Sequence, residues 1–132
     1  MVTNQIFISR TVQTQNFENG DNNPVWQNNF EFKSSLLQNG LKLILIRDPN
    51  ATKAAASLYI GAGSMNEPPN MNGLAHLLEH VVFSGNAKYP QQDFFETYAA
   101  SNGGGVSAFV GMDHTHYAIS CLPDAMEGAV DR

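Results

Sequence analysis

The sequence is poor in cysteine, in basic residues and in long apolar runs. Its single cysteine, Cys121, excludes an internal disulfide bond, and its place in the apolar run 117–122 indicates a buried thiol. Seven Lys and Arg residues stand against twelve Asp and Glu, a net charge of −5. Since the basic residues form no cluster, nucleic acid and anionic membranes are disfavoured as partners. No stretch approaches the ~18 apolar residues that a membrane-spanning helix requires.

The first 29 residues have the composition of a flexible N-terminal arm. Residues 13–29 are rich in Asn and Gln and contain Gly20 and Pro24. Such a segment buries too little apolar surface to offset the entropy of ordering it. Residues 1–15 lack the apolar core of a secretory signal. We expect a cytoplasmic protein, with a mitochondrial location as the alternative because Arg10 lies in a segment that has no acid before Glu18.

From residue 30 onward, propensities and turn signals predict one domain of class α+β, a sheet with helices on one face. Asn39 and Gly40 are typical of a type I′ turn that closes a β-hairpin. Gly85 is a C-terminal stop signal for a helix. Predicted strands span residues 31–38, 41–46, 53–60, 106–111 and 114–122, and predicted helices span residues 73–84, 91–100 and 123 to the end of the chain. The last helix is cut off, so we expect residues 30–132 to be an incomplete domain.

The first predicted helix carries a polar trio and an apolar stripe on opposite faces. At ~100° per residue, His76, Glu79 and His80 fall within one third of the helix circumference. A complete apolar stripe, expected to face the core, lies on the other side. Its members are Leu74, Leu77, Leu78, Val81 and Val82.

The trio suits zinc-dependent hydrolysis for physical reasons. Two histidines one helical turn apart can aim their imidazoles at one ion. The ion lowers the pKa of a bound water from ~15.7 to ~7, so that a carboxylate beside it suffices as the base. A catalytic zinc site needs three protein ligands, however, and this pattern supplies two. The five residues alone also fit a solvated helix face that has no metal.

The sequence around the trio resembles a known family. Residues 73–85, continuing to Lys88-Tyr89-Pro90, resemble the active-site segment of the inverzincins, and most closely their insulin-degrading enzyme and pitrilysin branch. Shorter matching segments are residues 37–41, 60–64, 107–109, 113–115 and 127–132. The resemblance implies a zinc metalloendopeptidase, with His76 and His80 as zinc ligands and Glu79 as the general base. Peptides are then the expected substrates.

The resemblance also implies where a substrate lies. The segment Ser107-Ala108-Phe109 is similar to the edge strand on which these enzymes hold an extended peptide by main-chain hydrogen bonds. Phe83 is then expected to line the pocket beside the scissile bond. The family usually has asparagine where this chain has Ser107.

The resemblance implies that one ligand is missing from this chain. The family's third zinc ligand is a glutamate roughly 75 residues after the second histidine, which falls beyond Arg132. We therefore expect an N-terminal fragment of a catalytic domain, inactive alone, whose site is completed by a missing C-terminal region or by a partner chain. An incomplete gene model explains such a chain. The alternative is a non-catalytic module that binds peptides or a partner.

A second metal site at Asp113, His114 and His116 is disfavoured. His114 and His116 would share one face of a strand, but structural histidines are common in strands. The family resemblance of residues 113–115 also needs no metal.

Overall fold

The computed structural model describes residues 5–9 and 31–132 and contains one six-stranded sheet. The strands are β1 (Gln5–Ser9), β2 (Glu31–Leu36), β3 (Lys42–Arg47), β4 (Ala54–Ile60), β5 (Gly105–Val110) and β6 (Thr115–Cys121). Their order across the sheet is β2-β3-β1-β4-β6-β5. The helices are α1 (Leu74–Phe83), α2 (Phe94–Ser101) and α3 (Met126–Asp131). The α+β class and the elements predicted from residue 31 onward are confirmed.

The N-terminal segment contributes a strand that the composition did not predict. Gln5–Ser9 lies between β3 and β4, parallel to the former and antiparallel to the latter. The prediction of a flexible arm is therefore wrong for these five residues, which contain the apolar run Ile6-Phe7-Ile8 and pair with two strands. The rest of that arm, residues 1–4 and 10–29, lies outside the described residues.

The first hairpin is confirmed, but its turn is not type I′. A type I′ turn needs positive φ at both central residues, whereas only Gly40, at φ 82°, has it and Asn39 does not. The Gly40 N–H donates to the Leu37 carbonyl at 2.9 Å, and the Leu37 N–H donates to the Leu41 carbonyl at 2.9 Å. This is the longer hairpin loop that places one glycine in the left-handed region. The Asn39 backbone stays outside the left-handed region, and the Asn39 side-chain oxygen accepts a hydrogen bond from the Leu41 N–H.

The core lies between the sheet and the two later helices. Both α2 and α3 contact β6, and α3 also contacts β4. The buried side chains of this core come from β4, β6, α2, α3 and the turn before α3; they are Ala54, Ala99, Ile119, Cys121, Ala125, Met126 and Ala129. Cys121 is fully buried, as expected, and burial raises the pKa of its thiol. A thiol of this kind stays protonated and unreactive.

The loop between α1 and α2 is fastened to α3. The Lys88 ammonium donates to the Asp131 carboxylate at 2.7 Å, and the Tyr89 hydroxyl donates to the same carboxylate. The Arg132 guanidinium lies 3.7 Å from the centre of the Tyr98 ring and 4.5 Å from that of Tyr89. Charge-assisted hydrogen bonds and cation–π contacts thus define the position of the chain that leads into α2.

The apolar stripe of α1 does not face a core within the described residues. No residue of α1 is buried, and Leu77 is 60% and Val81 52% exposed. The face turned toward the sheet is the one with Ala75, Glu79 and Phe83. The prediction of a core-facing stripe is therefore wrong for this part of the chain, because helical periodicity identifies an apolar face but not what covers it. None of the described helices is long and apolar enough to cross a membrane.

Candidate metal centre and the adjoining cavity

The polar trio lies on α1, whose first turn is held by a distant carboxylate. Gly73, at φ 88°, provides no side chain to cap the helix. The Glu67 carboxylate instead accepts from the N–H groups of Gly73 and Ala75, each at 2.8 Å. These are two of the N–H groups that a helix leaves without internal partners, and a negative charge is favoured there. Glu67 thereby fixes the start of the helix two turns before its second histidine.

The trio has the geometry of a metal site. The Nε2 atoms of His76 and His80 are 3.2 Å apart, and the Glu79 Oε2 is 3.8 Å from the His76 Nε2. One ligand atom from each residue lies within 4.8 Å of the others. Two nitrogens held at ~2.1 Å by a tetrahedral ion are about 3.4 Å apart, so the imidazole spacing fits zinc. Among residues 31–132, this is the group of three potential ligands that the fold brings together.

Glu79 is the sheltered member of the trio. Its side chain is 14% exposed, against 69% for His76. Tyr117 of β6 lies below the same helix, with its ring centre 5.9 Å from that of Phe83. Burial raises the pKa of the Tyr117 hydroxyl, and the negative charge of Glu79 raises it further. The phenol therefore stays protonated at neutral pH and offers a hydrogen-bond donor in the surroundings of the carboxylate.

A cavity of about 380 Å³ opens beside the trio. Its walls come from α1, from the start of α2 and from β5, the edge strand of the sheet. The lining residues are Glu79, His80, Phe83, Ser84, Gln92, Asp93, Glu96, Val106, Ser107 and Ala108. Three of the four residues expected from the family to contact a substrate, Phe83, Ser107 and Ala108, are thus placed together.

The fourth expected residue, Phe109, is placed elsewhere. Along β5, Val106 and Ala108 are half-buried and Ser107 and Phe109 exposed, so Phe109 points to the opposite face of the sheet from Ala108. Its ring lies 5.3 Å from the centres of both the His114 and His116 rings. Ser107 shares this face of the strand with Phe109, yet Ser107 contributes to the cavity wall and Phe109 does not. The structure does not bring the Phe109 side chain to the cavity.

The two later histidines have partners of their own. The His114 Nδ1 is 2.7 Å from the Asp113 Oδ1, a hydrogen bond that lowers the pKa of this carboxyl. The His114 ring also stacks on Tyr59 with 4.8 Å between centres. The His116 Nε2 is 2.6 Å from the Ser57 Oγ. These contacts account for both residues as parts of the sheet surface.

The positions of three acidic residues in this region could not be predicted from the sequence. Glu67 caps α1 although it lies six residues before Gly73, the residue at the N-cap position. Capping residues are normally expected at the N-cap position itself. Asp93 and Glu96 line the cavity through the start of α2. That helix begins three residues later than predicted, because Asp93 has φ 57° and cannot continue a right-handed helix. A backbone angle of this kind is visible only in the structure.

The α+β fold and the grouping of the trio on α1 agree with the metallopeptidase class that the sequence resemblance implies. Residues 42–132 match the sequence profile described as insulinase, peptidase family M16. This match covers more than half of the chain. The chain therefore belongs to the insulinase family.

Curated relatives and a solved structure agree with this assignment. The chain is 37% identical over 102 residues to the human insulin-degrading enzyme, covering 77% of the chain and 10% of that protein. It is 40% identical over 96 residues to the A-factor-processing enzyme of Saccharomyces cerevisiae, covering 73% of the chain and 9% of that protein. The crystal structure of pitrilysin matches 80% of this chain and 11% of its own at a TM-score of 0.77 and 35% identity. The chain spans about a tenth of the length of these relatives.

Proposed function

We propose that this chain is the part of a zinc metalloendopeptidase catalytic domain that carries two metal ligands and the general base. The observation that supports the proposal is the 3.2 Å spacing of the His76 and His80 Nε2 atoms beside the sheltered Glu79 carboxylate. His76 and His80 would hold zinc, and a third ligand would come from outside the described residues. Zinc, when bound, supplies Lewis-acid activation of water for attack on a peptide carbonyl.

The proton transfer and the binding of the substrate are assigned to residues of this chain. Glu79 is the group positioned to accept a proton from the attacking water and to return it to the leaving amine, as a general base and then acid does. The edge strand β5 would hold an extended peptide through its main chain at Ser107 and Ala108, next to Phe83. A peptide bound in this way is held by hydrogen bonds between its main chain and that of β5. Recognition therefore depends on few of the side chains of the substrate.

The alternative is a non-catalytic module that binds peptides along β5. This alternative is favoured by the donor set itself, since Glu79 is the third potential ligand that the described residues place beside the two histidines. If Glu79 ligated the ion, no base would remain among the trio. The two functions differ in whether peptides are cleaved and in whether Glu79 is needed to hold the metal.

The test uses the polypeptide as its source organism makes it, with Glu79→Gln and, as a matched control, Glu127→Gln on the exposed side of α3. Zinc content is measured by atomic absorption, and hydrolysis by an internally quenched peptide. We expect Glu79→Gln to keep its zinc and to lose about 10²- to 10⁴-fold in rate, the usual contribution of a general base. Unchanged hydrolysis would exclude Glu79 as the base. Loss of zinc in the variant, with no cleavage by the unmodified protein, would establish the binding module.

A further inference from the structure

The helix that carries the trio is held by little packing within the described residues. α1 has ten residues, and none of them is buried. A helix shorter than ~12–15 residues is only marginally stable by itself in water, because few hydrogen bonds offset the cost of nucleating it. The position of α1 therefore depends strongly on the groups that bind its first turn.

Glu67 provides the side-chain hydrogen bonds to that first turn. Its Oε2 accepts from the Gly73 N–H and its Oε1 from the Ala75 N–H, each at 2.8 Å. Both carboxylate oxygens are used, and hydrogen bonds to an ionised acceptor are roughly twice as strong as those between neutral groups. The second of these bonds holds the residue immediately before His76. The carboxylate thus acts on the backbone next to the first proposed metal ligand.

The segment that carries Glu67 is attached to the turn between β5 and β6. Glu67 directly follows the 3₁₀ turn Ser64–Asn66. The Ser64 N–H donates to the Gly111 carbonyl at 3.0 Å, and the N–H of the following residue donates to the Met112 carbonyl at 2.8 Å. A continuous series of hydrogen bonds therefore joins the start of α1 to the end of β5, the strand proposed to hold the substrate.

The connection from Glu67 to α1 is short and conformationally restricted. Pro68 and Pro69 follow Glu67, and the fixed φ of proline reduces the number of conformations open to this segment. The Met71 N–H donates to the Pro68 carbonyl at 2.9 Å, and the Leu74 N–H donates to the Met71 carbonyl at 3.2 Å. Little entropy is then lost when the carboxylate binds the helix, so its two hydrogen bonds can position α1 effectively.

We infer that Glu67 is a positioning residue of the proposed metallopeptidase, which sets the place of His76 and His80 relative to β5. The inference rests on the proposed function, because it assumes that these histidines hold zinc. Glu67 acts through the backbone of α1, whereas His76, Glu79 and His80 perform the chemistry. Loss of a capping side chain changes the equilibrium of a helix by about 2- to 30-fold. We expect the zinc affinity to change by the same factor, since the ligands are ordered together with the helix.

The experiment uses the polypeptide as its source makes it, with Glu67→Ala and Glu67→Gln. The matched control is Asp48→Ala, because the Asp48 carboxylate also accepts from a backbone N–H, that of Asn50 at 2.9 Å, in a turn after β3 and far from β5 in the sheet. The zinc Kd is measured by competition with a chelator, and amide hydrogen exchange over residues 73–80 by mass spectrometry of the metal-free protein.

Glu67→Ala should raise the zinc Kd by about 2- to 30-fold and accelerate exchange over residues 73–80. Glu67→Gln, which keeps one acceptor oxygen and the size of the side chain, should give an intermediate effect, and it carries the test if Glu67→Ala does not fold. Asp48→Ala should change neither quantity. With zinc at saturation, displaced ligands should lower kcat and leave KM unchanged, because β5 still holds the peptide.

The possible failures are distinguishable. An unchanged zinc Kd in both Glu67 variants, or an equal change in Asp48→Ala, overturns this inference alone. Zinc binding without cleavage by the unmodified protein overturns the proposed peptidase function alone, since the zinc Kd requires no hydrolysis. Absence of zinc binding by the unmodified protein overturns both.

Discussion

Replacing Gly104 by alanine should separate β5 from β6 and unfold the wall of the cavity. A Cβ built at Gly104 would overlap the carbonyl group of Ser120 and lie 2.8 Å from the Cα of Cys121. All three of these atoms belong to the backbone, so no side-chain rotation relieves the overlap. The strand β6 would have to move by about 1 Å, since core packing leaves no free space of that size.

The size of the effect follows from the bonds around that contact. The Gly104 N–H donates to the Ala99 carbonyl at 2.9 Å, and the Leu122 N–H donates to the Asn102 carbonyl at 2.9 Å. Losing two such bonds costs about 1 kcal/mol each, and overpacking adds about 1–3 kcal/mol. We therefore expect Gly104→Ala to reduce the free energy of unfolding by about 3–5 kcal/mol.

The neighbouring glycine is a matched control. A Cβ at Gly105 meets no atom within 4 Å. Gly105→Ala should be neutral or stabilise by about 0.4–1 kcal/mol, because alanine reduces the entropy of the unfolded chain. Both variants are compared by urea denaturation and thermal melting of the folded polypeptide that contains this chain. At about 2–8 °C per kcal/mol, the two melting temperatures should differ by about 6 °C or more. Free energies of unfolding within about 1 kcal/mol of each other would refute the steric reasoning.

Two further predictions concern stability. Met126 is 1% exposed and Met112 is 70% exposed. In urea denaturation, Met126→Ala should therefore reduce the free energy of unfolding by about 2–5 kcal/mol, whereas Met112→Ala should change it little. Equal effects of the two substitutions would contradict the assigned core. Asp131 has its pKa lowered, first by its hydrogen bond with Lys88 and then by that with Tyr89. Because its pKa in the folded state lies below the unfolded value of about 3.8, its contribution is complete above that pH and is lost as the pH falls further. Asp131→Asn should remove this acid-side loss from melting curves measured between pH 2 and 6, and an unchanged pH dependence would show that the pair with Lys88 adds no stability.

The elements of the fold could be predicted because their signals are local. The second histidine follows the first by one helical turn, and this spacing alone put His76, Glu79 and His80 on one face of α1. Gly85 and Gly40 marked the ends of a helix and a hairpin because each has positive φ, at 115° and 82°. The type of the hairpin turn was not determined in the same way, since Asn-Gly fits more than one loop and the strand pairing selects among them.

The tertiary structure decided what each local face meets. Periodicity showed an apolar face on α1, but the sheet contacts the face that carries Ala75, Glu79 and Phe83, so Leu77 remains exposed. Gln5–Ser9 pairs with strands more than thirty residues away. The apolar run Ile6-Phe7-Ile8 favours a strand, but local propensity does not indicate which strands it pairs with.

The candidate site likewise has features that follow from local sequence and features that depend on tertiary packing. The sequence by itself determined the identity and mutual spacing of the trio, because three residues within five positions of one helix need no tertiary contact to meet. Only the tertiary structure decided that Glu67 caps this helix, that Ala108 faces the cavity while Phe109 faces away, and that Asp93 and Glu96 join Glu79 in one cavity. These groups come from segments whose approach depends on the packing of α1, α2 and β5, and long-range packing is not encoded in any short window of sequence.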